Sequence, residues 1–288
     1  MRKIILSIIF CVVLFPTATL ADEREVYIAL GDSLAAGQTP YNEIDAGYTD
    51  FSALQLMRNG KLAHFSKELT FPGYRVQNVI ETVQSDKAKQ LLSEATLITI
   101  SAGANNLLPL IEHNPEQGTI AFSQLSADFA LNEVRIQMKE LLSLTKEKAP
   151  NAEIYVLGYY FPYVSLHEEQ KHGAEKAVKL LNKILKQETE QAGHVFVDVF
   201  DDFNLGQADY LPSIQDIHPN QLGYRIMANE MLKKYSGNNI LSLPIDALPA
   251  PNPKTFEEML QMQENELAVQ EEQFIAQHHP DKPKPIYV

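Results

Sequence analysis

Val26-Tyr27-Ile28-Ala29-Leu30-Gly31 is a short apolar run without a charge, and it breaks off in Asp32-Ser33-Leu34. A strand buried on both faces of a parallel sheet reads this way, as a continuous apolar segment rather than an alternating one. Gly31 allows the sharp change of backbone direction that must follow. Ser33 is therefore expected at the carboxyl end of a strand, where open α/β sheets bind their ligands. Asp32 and Ser33 are also favoured helix N-cap residues. By itself the segment defines a strand-to-helix turn, and its chemistry depends on what else the chain brings to the same place.

Working outward, strands and helices alternate. Thr49 or Asp50 caps a helix that Asn59-Gly60 ends, Leu62 to Phe71 is an irregular approach to a strand, and Pro72-Gly73 turns the chain into a helix from about Gln77. Val76, Val79, Ile80 and Val83 have the spacing of one helix face. Further strands are expected at 95–100, 154–158 and 195–199, each rich in β-branched or aromatic residues. A long helical region after Asn105 carries Phe129, Val134, Met138, Leu141 and Leu142 until Ala149-Pro150 breaks it. Another helix carries Val178, Leu181, Ile184 and Leu185, a loop runs on to Pro212, and the last core helix spans Pro219 to Tyr235 with Leu222, Ile226, Met227 and Met231 inward. No hairpin signal separates these elements, so the expected fold is a parallel sheet covered on both faces. With right-handed crossovers it is a flavodoxin-like three-layer α/β/α sandwich.

The chain has 288 residues, 45% of them hydrophobic, enough for one large core. Basic Arg2 and Lys3, apolar residues from Ile4 to Phe15 and small residues around Thr17 to Ala21 form the pattern of a secretory signal peptide. Cleavage is expected after Ala21 and the mature protein is expected to be secreted, since the apolar stretch is short for a bilayer span. The expected organisation is a leader over 1–21, one domain over 22–237, and a Pro-rich linker with a C-terminal helix over 238–288. That linker is expected to be semi-rigid rather than packed. Thr255-Phe256-Glu257-Glu258 is a capping box opening a helix from about Phe256 to Gln277, with a ragged apolar face suited to docking on the core rather than to a coiled coil.

Cys11, the only cysteine, lies in the leader, so the mature chain has no disulfide and no thiol nucleophile. Loss of Arg2 and Lys3 leaves 22 basic against 37 acidic residues, a net charge of −15. Phosphate backbones are repelled by such a surface, and no nucleic-acid partner is expected. Anionic lipid surfaces attract it poorly at range, leaving room only for transient contact. Without a His-Glu-x-x-His, EF-hand or Gly-rich phosphate loop, neither a metal nor another cofactor is expected. Oligomeric state leaves no signature.

Three later stretches give Gly31-Asp32-Ser33-Leu34 its meaning: Phe71-Pro72-Gly73-Tyr74, Ser101-Ala102-Gly103-Ala104-Asn105-Asn106, and Asp216-Ile217-His218-Pro219-Asn220. In this order, over roughly Val26 to Tyr235, they resemble the four blocks of the SGNH, or GDSL, hydrolases. The resemblance implies the SGNH hydrolase fold, a Ser33 nucleophile, His218 as base, and an oxyanion hole from the backbone amides of Ser33 and Gly73 with the side chain of Asn105. Alone, Gly73 reads as a turn glycine, Asn105 as a helix cap and His218 as the residue before a helix-opening proline. His64, His113, His167, His172, His194, His278 and His279 lie in no matching motif.

The family's acid stands three residues before its His, a position held here by Gln215, which has no charge to stabilise an imidazolium. Asp216, two before, projects to the same side as His218 if the segment is extended, and not if it is helical. Asp198, Asp202 or Asp209, or a Ser-His dyad, are the alternatives. Asn106 replaces the family's common Asp and bears on local loop support.

The nucleophile elbow of α/β-hydrolases is excluded because its serine follows several strands. The resemblance implies a hydrolase of carboxylic esters, lipid or simple acyl esters, with Tyr159-Tyr160-Phe161-Pro162-Tyr163 either lining an acyl pocket or packing at a strand end. Deacetylation of a cell-wall or plant polysaccharide, and a catalytically silent glycan- or lipid-binding module, are the other readings.

Overall fold

The structure, a computed structural model, describes residues 24–237, 241–259 and 261. The expected leader over 1–21 and all but the first turn of the expected C-terminal helix lie outside the described residues.

Five strands, β1 (Glu25–Gly31), β2 (Leu62–Thr70), β3 (Leu97–Ser101), β4 (Glu153–Leu157) and β5 (Val195–Val197), form one sheet. All pairings are parallel, in the order β2-β1-β3-β4-β5. Ile28, Ala29 and Leu30 of β1 and Ile98, Thr99 and Ile100 of β3 are fully buried, which explains their unbroken runs. The long helices are α1 (Tyr48–Arg58), α2 (Val76–Gln84), α3 (Asp86–Ser93), α4 (Gln124–Lys148), α5 (Glu168–Gln191) and α6 (Gln221–Ser236). α1 packs on α6, while α2 and α5 both pack on α4, so two helical layers flank the sheet. This is the expected sandwich.

The chain passes from β1 outward to β2 and then back across β1 to β3. The strand order therefore reverses between β1 and β3, and the crevice above their carboxyl ends is the natural ligand position.

Several expectations are corrected. Between Asn105 and α4 stands an antiparallel hairpin, Ile111–Asn114 with Thr119–Phe122, where a helix was expected. Leu62–Thr70 is a regular nine-residue strand apart from register shifts against β1, and the stretch before Pro212 contains two short helices, Phe200–Asn204 and Gln207–Tyr210. Phe129 does not share the inward face of Val134 and Met138; it is 70% exposed. On α6, Leu222 and Ile226 are only half-buried, and Tyr224, Ala228 and Leu232 join Met227 and Met231 in the core.

The Pro-rich stretch, expected to be semi-rigid rather than packed, is anchored near its start, while Pro249 to Pro253 are exposed. Leu243 is fully buried, and Asn229 of α6 brackets its backbone, accepting from the Leu243 amide at 2.7 Å and donating to its carbonyl at 3.3 Å. The capping box is present, Thr255 Oγ1 accepting from the Glu258 amide and Glu258 Oε2 from the Thr255 amide. Lys254–Thr255 pairs antiparallel with Glu43–Ile44.

Candidate active site

The site begins with the crowding at the end of β1. Gly31 lies directly against Ser101 of β3 at φ +135°, and a Cβ there would stand 2.1 Å from the Ser101 carbonyl oxygen. Only glycine fits. The Asp32 amide then donates to that same carbonyl at 2.9 Å, and Asp32 caps the single helical turn Ser33–Ala36 by accepting from the Leu34 amide at 3.0 Å. The N-cap reading of Asp32 thus holds, and the cap fixes the backbone that carries Ser33.

Asp32 is 1% exposed, and its two oxygens are held separately. Ser101 Oγ donates to Oδ1 at 2.8 Å, and Tyr159 Oη, just beyond β4, donates to Oδ2 at 2.6 Å. Burial raises the Asp32 pKa, against the lowering effect of these hydrogen bonds and of the His218 charge. Tyr159 is pushed well above its ordinary value, by burial and then by the Asp32 charge, so its hydroxyl keeps its proton and remains the donor. Sequence reading missed this pairing because it joins positions far apart in the chain.

Ser33 Oγ lies 2.8 Å from His218 Nε2, and both residues are 9% exposed. His218 Nδ1 lies 2.7 Å from Asp216 Oδ1, which also accepts from the His218 backbone amide at 2.7 Å. The segment from Asp216 to Asn220 has no helical turn, which is the condition the two-residue spacing required. Burial would raise the Asp216 pKa, but hydrogen bonds and charge from His218 outweigh it and hold the carboxyl below its usual value. Gln215 is exposed, and Asp198 spends an oxygen on capping Phe200. Asp202 and Asp209 are exposed.

The His218 loop is tied at both ends. Tyr160 Oη donates to the Ile217 carbonyl at 2.7 Å, and its ring stacks on Phe203 at 3.9 Å. Asn220 caps α6 through the Gly223 amide and binds the backbone of Asp209 and Tyr210. Tyr160 is thus a supporting residue for the imidazole.

Asn105, in the helical turn Ala104–Leu107 that follows β3, donates through Nδ2 to the Tyr74 carbonyl at 2.9 Å. Asn106 accepts from the Val76 amide, supplying at the start of α2 the loop support expected of an acid. Gly73, at φ +81°, occupies the turn closed by the Tyr74 amide donating to Phe71. Ser33, Asn105 and His218 line one cavity of about 80 Å³; Gly73 does not line it.

The remaining wall is apolar, including Leu107, Ile111, Ile120, Phe122, Val178 and Leu181. Tyr159, Tyr160, Pro162 and Tyr163 contribute to it as well, while Phe161 packs into a small core with Leu166, Ala174 and Phe200. The aromatic loop thus divides, four of its residues facing the cavity and Phe161 packing beyond the strand end. Among the described residues no three His, Cys, Asp or Glu side chains converge as a metal site.

The sequence model of the GDSL-like Lipase/Acylhydrolase family matches residues 29–226. The uncharacterized protein YpmR of Bacillus subtilis (strain 168) is 23% identical over 218 residues, covering 74% of this chain and 82% of that protein. The lipase Lip_vut3 from a goat rumen metagenome superposes with a TM-score of 0.58 at 20% identity, over 73% of this chain and 96% of that one. A catalytic mutant of Axe2, an acetylxylan esterase from Geobacillus stearothermophilus, superposes with a TM-score of 0.56 at 16% identity, over 76% and 97%. At these identities the structural likeness is one of fold.

Proposed function

The chain belongs to the GDSL-like lipase/acylhydrolase family, and from that premise we propose that it cleaves carboxylic esters of apolar acyl groups through an acyl-enzyme on Ser33. The observation that carries this reading is the chain of contacts Ser33 Oγ to His218 Nε2 and His218 Nδ1 to Asp216, opening onto an apolar cavity.

In the proposed reaction His218 Nε2 takes the Ser33 proton as Oγ attacks the ester carbonyl carbon. Asp216, kept ionised, fixes the imidazole tautomer and stabilises the imidazolium. The negative charge on the former carbonyl oxygen is met by the Ser33 and Gly73 amides and by Asn105 Nδ2. The imidazolium then protonates the leaving oxygen, the C–O bond breaks and the alcohol departs. Water, deprotonated by His218, repeats the attack, and collapse returns the proton to Ser33 as the acid is freed.

The acyl group is assigned to the apolar cavity, whose wall offers hydrocarbon contact rather than the hydrogen bonds a sugar needs. A mature protein exported after cleavage at Ala21 is part of the proposal, supported by basic Arg2 and Lys3 before the apolar stretch. Transient contact with uncharged lipid surfaces is compatible with the acidic composition.

A panel of p-nitrophenyl esters from acetate to palmitate tests the reading. The expected result is turnover that rises beyond acetate and vanishes in Ser33→Ala. Release of acetate from acetylated glycan without turnover of longer esters would favour the deacetylase instead, and glycan or lipid binding without any ester turnover a silent binding module.

A further inference from the structure

The turn Phe71-Pro72-Gly73-Tyr74 rests on the core through Tyr74, but its outer side is open. Phe71 and Gly73 are exposed, and a Cβ added at Gly73 would meet nothing within 4 Å. A loop so sparsely packed opens easily, whereas a group that must meet a developing charge has to be held within a fraction of an ångström. The Phe71 amide donates to the Gly31 carbonyl of β1 at 3.0 Å, which leaves the outer side of the turn to be held from elsewhere.

The segment Asn252–Met259 is placed to do so. After the buried Leu243, the Asn252 amide donates to the Asp45 carboxylate at 3.2 Å, and Lys254–Thr255 pairs with Glu43–Ile44. Ile44 in turn bridges Gln38, whose amide donates to the Ser33 carbonyl at 2.9 Å. The capping box then sets the first helical turn and presents Phe256 edge-on to Phe71, ring centroids 5.4 Å apart at 79°. Phe71 lies 5.3 Å from the Tyr74 ring, and the Tyr74 carbonyl takes the Asn105 amide.

We infer that Asn252–Met259 is a strap that sets the oxyanion-binding turn, with Phe256 as a positioning residue acting through Phe71 and Tyr74. The inference rests on the proposed roles of Gly73 and Asn105. It gives the C-terminal extension a task in turnover although no described residue of it lines the catalytic cavity. Phe256 acts on the transition state alone: the substrate carbonyl gains from the two donors chiefly as it becomes an oxyanion.

The test uses the full chain as wild type, Phe256→Ala, Phe256→Tyr and Ser33→Ala with p-nitrophenyl butyrate, together with thermal unfolding and hydrogen exchange at the Tyr74 amide. Removing one oxyanion donor outright lowers kcat on the order of 100- to 1,000-fold, and loosening it costs part of that. Phe256→Ala is expected to lower kcat about 10-fold with KM within about twofold. Phe256→Tyr keeps the edge contact and restores kcat, and exchange at Tyr74 quickens only in the alanine variant.

Wild-type kcat in Phe256→Ala, a loss appearing in KM alone, or a loss that Phe256→Tyr does not restore overturns the strap. Should the alanine variant not accumulate, Phe256→Ser is read by the same criteria. Full turnover in Ser33→Ala would remove the hydrolase reading itself; an inactive Ser33→Ala beside a wild-type-like Phe256→Ala removes only the strap.

Discussion

Tyr159→Phe removes one oxygen and leaves the ring in place, so it isolates what holds the buried Asp32. Among the described residues, Tyr159 Oη at 2.6 Å is the donor to Asp32 Oδ2, while Oδ1 keeps the Ser101 hydroxyl and the Leu34 amide. Loss of a buried hydrogen bond to a charged acceptor costs about 2 kcal/mol, which for a domain of this size lowers Tm by roughly 4–8 °C.

The cost depends on pH with a definite sign. Asp32 has its pKa raised above the ordinary 3.8, so its folded-state contribution is greatest below that value and is lost as pH rises through the folded pKa. Without Tyr159 Oη the folded pKa climbs further, so the destabilisation of Tyr159→Phe is larger at pH 7 than near pH 4. Denaturant unfolding of both proteins at the two pH values measures it. A cost below about 0.5 kcal/mol at pH 7, or one equal at both pH values, would refute the account of Asp32 as a charge held by this hydroxyl.

Three further outcomes are expected. Asp216→Ala lowers kcat with p-nitrophenyl butyrate by about 100-fold or more while Gln215→Ala stays within about twofold, since of these two side chains Asp216 is the one bonded to the imidazole. Ala177→Phe places a ring in the apolar cavity, so kcat/KM for decanoate falls about 10-fold or more while that for acetate changes little, as read from the same ester series. Gly31→Ala drives a Cβ against the Ser101 carbonyl at a φ disfavoured for side chains, and unfolding is expected to show a loss of about 3 kcal/mol or more, or no folded protein.

Sequence and structure agree most closely where the signal is local. The run into Gly31, the strand before Asn105 and the capping box at Thr255 each declare themselves within a few residues, because backbone geometry there is dictated by neighbours in the chain. Asp216 was legible only conditionally, since its reach depended on whether the loop to His218 was extended.

The hairpin over Ile111–Phe122 leaves a weak signal although Pro115 and Gly118 bracket its turn, because its exposed Glu112 and Asn114 interrupt any apolar run. Phe129 has helical spacing yet faces outward, because α4 buries a narrower stripe than its apolar residues suggest. The contacts of Tyr159 with Asp32, Leu243 with α6 and Phe256 with Phe71 join distant segments and leave no periodic trace.

The central claim is that the Ser33 hydroxyl, bonded to His218, is the group that takes the acyl chain. Titration with a fluorophosphonate, followed by mass mapping of the adduct and by residual turnover of p-nitrophenyl butyrate, examines it directly. The account predicts one equivalent bound at Ser33 with turnover lost in proportion, and no labelling in Ser33→Ala. Labelling of Ser33→Ala at the wild-type rate, or full turnover by protein already carrying the adduct on Ser33, would contradict it.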